Sequence, residues 1–92
     1  MGFKITHSDG HLHLNGELNI NNLSFVKKNV NSYFKKNESI VLDIDNVTEI
    51  DPHAIDYIIK LYQKAKTLEK KFLFYGKGSR DIIDELQYRN IE

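Results

Sequence analysis

Ile40-Val41-Leu42-Asp43-Ile44 is the stretch that most narrows what this chain can fold into. It is apolar on both faces apart from one acid, so it reads as a strand buried on both sides. Such strands belong inside a parallel or mixed sheet covered by helices. Residues 45–50 read as a short loop, and Asp51-Pro52 as a helix start. Asp is a favoured N-cap, and proline at the first helical position forfeits an N–H that has no helical partner anyway. A strand that hands over to a helix this way aims backbone N–H groups and the positive end of the helix dipole at whatever lies in front. Function is expected at this junction.

The flanking segments supply the covering helices and the remaining strands. Phe3–His7 and His11–Asn15 alternate around Asp9-Gly10, which predicts a hairpin with Phe3, Ile5, Leu12 and Leu14 facing inward. Gly16–Ile20 is expected to leave the sheet, with Asn21 or Asn22 capping the next helix. Leu23, Val26, Val30, Tyr33 and Phe34 then recur at helical spacing, and Asn37 ends the run. After Pro52 the apolar stripe is Ala54, Ile58, Leu61, Tyr62, Ala65 and Leu68, widened by Ile55 and Ile59. Lys71–Tyr75 is a further apolar strand closed by Gly76, and Ser79 caps a last helix through Ile82, Ile83 and Leu86. Strands alternating with helices imply right-handed crossovers with helices laid on the sheet. The expectation is one α/β domain over residues 1–92, with a mixed four-stranded sheet and three helices.

Ninety-two residues hold one modest core. Lys plus Arg equals Asp plus Glu at 13 each, and only Arg80 and Arg89 are arginines, which argues against a nucleic-acid binder. The chain has no cysteine, which removes disulfides, thiol catalysis and thiolate metal sites. No apolar run approaches the roughly 18 residues of a membrane span, and the start lacks a signal-peptide core. A cytoplasmic protein without membrane insertion is expected.

Three landmarks now stand in order: Gly16-Glu17-Leu18-Asn19, then Val41 through Asp51 entering the central helix, then Leu61 through Leu73 leaving it. Together they resemble a STAS domain, the fold of bacterial anti-sigma-factor antagonists and of the cytoplasmic part of sulphate transporters. The resemblance implies a non-enzymatic protein-interaction module acting in signalling and transcription regulation, without a cofactor. In that family the junction reads Asp-Ser-Ser-Gly or similar, and one serine is phosphorylated by an anti-sigma kinase. Phosphate there adds about −1.5 to −2 charges and ejects the partner. Here the junction is Asp51-Pro52-His53-Ala54, so His53 stands at the acceptor position and Pro52 at the preceding serine. The family's acid after Gly-Glu-Leu is Asn19 here. The resemblance therefore implies a partner-binding face at Asn19, Asp51, Pro52, His53, Ala54 and Ile55, without the serine switch. Its partner would be an anti-sigma factor or, on a second reading, the ATPase of a lipid-transport ABC system that carries this domain as an accessory subunit. A monomer or weak homodimer is expected.

A third reading, of another class, is a small metal-binding or His-dependent enzyme. Asp51 and His53 make an imaginable acid–base pair, but no nucleophile or third orienting group stands near them, Thr48 being the closest hydroxyl. His7, His11 and His13 bind a metal only if their rings converge; otherwise they are the solvent face of an alternating hairpin. The Lys-rich helix of residues 23–36 reads as a solvated face, and Gly76-Lys77-Gly78-Ser79 as a helix cap too short for a phosphate loop.

Overall fold

The computed structural model describes residues 3–8, 10–77 and 79–91. Asp9 of the expected hairpin turn and Gly78 of the expected cap lie outside these residues. Seven elements follow one another: β1 (Lys4–Ser8), β2 (His11–Leu18), α1 (Ile20–Lys36), β3 (Ser39–Ile50), α2 (Pro52–Thr67), β4 (Lys71–Tyr75) and α3 (Ser79–Tyr88). The sheet order is β1-β2-β3-β4, with β1 antiparallel to β2 and the other two pairs parallel. The expected α/β architecture, with three helices and a mixed four-stranded sheet, is what the chain forms.

Both crossovers, β2–α1–β3 and β3–α2–β4, step the same way across the sheet. Right-handed crossovers in one direction put their helices on one face. The even-numbered residues Leu12, Leu14, Ile40, Leu42, Ile44 and Phe72 are buried there against Val26, Val30, Ile58, Ile59 and Ala65. α3 adds Ile82 and Leu86 to the same core, and Arg89 ties its end to Asp56 of α2 at 3.0 Å.

Among the described residues no helix lies on the other face of the sheet, which corrects the expectation that Ile40–Ile44 is covered on both sides. Val41 and Asp43 are only half-buried, and their β4 neighbours Leu73 and Tyr75 are 63% and 43% exposed. An apolar run is ambiguous between two covered faces and one. Here the direction of the crossovers decides.

Two strands outrun their expected ends. β2 continues through Leu18, because Gly16, Glu17 and Leu18 pair with Val47, Glu49 and Ile50 of β3. The ladder shifts register between Gly16 and Glu17, and Gly16 absorbs the shift at φ +113, a conformation other residues resist. In return residues 45–50, expected as loop, are the second half of a 12-residue strand. The cap of α1 moves back accordingly: it is Asn19, not Asn21 or Asn22.

At the far end of α2, Leu68 leaves the predicted stripe. It is the C-cap and half exposed. Glu69 takes a left-handed turn at φ 58, and the N–H of Lys70 closes the helix on the carbonyl of Ala65 at 2.8 Å. Lys70 then reaches across to α1, where its Nζ donates to the carbonyls of Phe34 (2.5 Å) and Asn37 (3.2 Å). Among the described residues no helix is long and apolar enough to cross a membrane.

Candidate functional site

β2 and β3 are parallel and end side by side at Leu18 and Ile50. Each hands the chain to a helix through a single residue, Asn19 into α1 and Asp51 into α2. Two helix starts therefore stand next to each other at one end of the sheet. This follows from β2 running on to Leu18; had the strand stopped at Asn15, α1 would begin elsewhere.

Asn19 is extended (φ −140), and its Oδ1 accepts the N–H of Asn21 at 3.0 Å. Asn22 Nδ2 donates back to the carbonyl of Glu17. Asp51 is also extended, and its two oxygens are divided between the helices. Oδ1 accepts the N–H of Ala54 in α2 at 2.9 Å, and Oδ2 accepts the N–H of Ile20 in α1 at 2.9 Å. Its own N–H donates to the carbonyl of Leu18 at 3.1 Å. One carboxylate thus satisfies unpaired donors of two helices and lies at the positive end of both dipoles. The N–H of Ala54 is the main reason its pKa sits below the ordinary carboxylate value; desolvation opposes this and the N–H of Ile20 adds to it.

Asp51 was legible as the cap of α2. Its bond to Ile20, 31 residues away, follows only from where β2 ends. Both Asp51 oxygens face backbone donors, and among the described residues no hydrogen bond joins its carboxylate to the His53 ring, so the acid–base pair lacks its connection.

The structure brings Asn19 and the start of α2 together. Pro52 and His53 are exposed, Ile55 is half-buried, and Ala54 is fully buried against the core. Ile20, absent from the sequence-level site, is 54% exposed beside Asn19. The missed signal was its position. As the first residue of α1 it precedes the Leu23–Val26–Val30 stripe and its side chain is left in solvent.

Next to this end of the sheet, β3 extends past β4, whose pairing stops at Asp43 and Tyr75. Residues 45–50 border an open groove of about 490 Å³ that reaches Lys77 and Asp81. Gly76 makes the crossing possible, since a Cβ there would lie 2.3 Å from the Asp45 backbone nitrogen. Lys77 N–H then donates to Asp45 Oδ1 at 3.2 Å.

The three hairpin histidines do not converge. His7 pairs with Leu12 on the helix-covered side and its ring lies 5.7 Å from that of Tyr33. His11 and His13 occupy the opposite face. Among the described residues no group of three His, Asp or Glu side chains is placed to hold a metal ion.

Compared with known proteins, residues 3–83 match the family model of the STAS domain, from the residue before β1 into α3. No curated protein matches the chain.

Proposed function

This chain belongs to the STAS domain family, and from that premise we propose that it is a cytoplasmic protein-interaction module whose binding face is the paired start of α1 and α2. STAS domains mediate contacts between proteins. The observation that carries the reading is the shared carboxylate of Asp51, which fixes two helix starts as one surface. Asn19, Ile20, Pro52, His53 and Ile55 supply its exposed and half-exposed side chains. Ala54 contributes from beneath, as a small residue that lets the backbone of α2 approach the sheet. The partner is a regulatory protein of the anti-sigma-factor type.

In this reading, binding is not controlled by serine phosphorylation. His53 stands at the family's acceptor position and has no hydroxyl, and Asn19 lacks the family's negative charge. Incubation with the cognate kinase and ATP is expected to leave the intact mass unchanged. Stoichiometric phosphate on Thr48 or Ser79 would refute this part. The binding face itself is tested by titrating the partner against Asn19→Ala and His53→Ala variants. Each is expected to weaken binding by about tenfold, on the order of 1.4 kcal/mol. Unchanged affinity in both variants would move the interface elsewhere.

A further inference from the structure

The uncovered face of the sheet carries a group of side chains that the helix-start surface does not use. The register places Ser8 opposite His11, Thr6 opposite His13, and His13 opposite Asp43. Ser8 is therefore diagonal to His13, and the three residues Ser8, His13 and Asp43 lie along one line on the open face. Ser8 Oγ is 3.1 Å from His13 Nε2, and His13 Nδ1 is 2.7 Å from Asp43 Oδ2.

The chemistry of the carboxylate fixes the direction of the bond to Asp43. An ionised carboxylate only accepts, so Nδ1 of His13 carries the proton and donates to Asp43. Whenever the ring is neutral, Nε2 then accepts from the Ser8 hydroxyl. Asp43 is held by a second bond, from the N–H of Asp45 to Oδ1 at 3.0 Å. That bond, ahead of the contact with His13, keeps the carboxyl below its ordinary pKa and hence ionised at neutral pH. Nucleophile, base and orienting acid stand in the sequence of contacts that activates a serine.

We propose that Ser8 is an activated nucleophile that accepts one acyl group from an activated ester or thioester, with His13 as its base and Asp43 as the positioning residue. Ser8 Oγ attacks the carbonyl carbon while its proton passes to His13 Nε2. The new O–C bond forms as the bond from that carbon to the leaving oxygen or sulfur breaks. The proton on His13 then passes to the leaving group, so atoms and charge balance with no change of oxidation state. Ser8 is exposed and His13 partly so. On such a surface water, rather than fixed donors, meets the developing oxyanion. The site therefore suits single acylation by a donor with a good leaving group, as a modification of this face, more than repeated turnover. It is independent of the helix-start reading, because it uses the other side of the sheet.

The test is p-nitrophenyl acetate with the intact chain, followed by peptide mapping and hydroxylamine treatment, which removes acetyl from oxygen and spares acetyl on lysine. Ser24, exposed on α1, is the internal reference. Base assistance is worth about 100-fold at the low end of its usual range, so acetyl is expected on Ser8 about 100-fold faster than on Ser24. His13→Gln is expected to bring Ser8 down to the rate of Ser24, and Asp43→Asn, which offers the ring the wrong partner, to slow it by at least about tenfold. Equal labelling of Ser8 and Ser24 in the unaltered chain overturns the proposal without any variant having to fold. So does a His13→Gln variant that melts normally and still acetylates Ser8 at the original rate.

Discussion

Lys70 offers a direct measure of what joins α1 to the end of α2. Its ammonium donates to the carbonyls of Phe34 and Asn37 at the C-terminus of α1 and lies 4.8 Å from the centre of the Phe34 ring. Helix C-termini leave carbonyls without partners and carry negative partial charge, so a cation there does two things at once. Replacement by methionine keeps the apolar stem and its packing and removes the charge and both donors. A hydrogen bond from a charged donor contributes about 1.5–3 kcal/mol when well buried. Lys70 is half-buried and water can reach part of the site, so the two bonds together are placed at about 1.5 kcal/mol. The ring contact adds about 0.5 kcal/mol. Lys70→Met is therefore expected to destabilise the domain by about 2 kcal/mol, which lowers Tm by about 10 °C for a domain of this size. Urea denaturation followed by far-ultraviolet circular dichroism measures it, with the midpoint falling and the slope m unchanged. A loss below about 0.5 kcal/mol would mean that water serves these carbonyls as well as Lys70 does, and the reasoning would fail.

Two further perturbations address the end of the sheet where α1 and α2 begin. Gly76→Ala places a methyl against the Asp45 backbone at a φ of +117, so it should cost about 2–3 kcal/mol by urea denaturation. A shifted Lys77 amide resonance would locate the damage at its bond to Asp45. For Asp51 the pH dependence carries the information. Its folded pKa is depressed, so its contribution to stability is present above the ordinary carboxylate value and lost as pH falls through the lower folded value. Asp51→Asn should flatten the acid limb of a stability–pH curve and shift the amide resonance of Ile20; an acid limb identical to that of the unaltered chain would contradict the shared cap.

The order of elements was legible because each has a local cause. Asp51 and Pro52 mark the start of α2, Asn37 marks the end of α1, and the 3.6-residue stripes mark which side of each helix is buried. What was not legible depends on partners far along the chain. Gly16, Glu17 and Asn19 break the alternation of β2, so the strand looked finished, yet β3 supplies backbone partners up to Ile50. The polar residues 45–50 looked like loop for the same reason. Val41 reads as covered because apolar residues do not announce which face a helix will cover. Ser8, His13 and Asp43 were likewise invisible as a group. His13 and Asp43 are 30 positions apart, and only the sheet register sets them side by side.

The carboxylate shared between α1 and α2 makes the two helix starts one mechanical part. A protein that pressed on Pro52 or His53 would load α1 through Oδ2 of Asp51 as well as α2 through Oδ1. A change in how α1 begins would correspondingly reposition the surface that α2 presents. The two ends of this face therefore have limited freedom to drift apart in evolution. If this face binds a partner as proposed, specificity is free to vary at the exposed positions around Asp51, while Asp51 itself is tied to the fold.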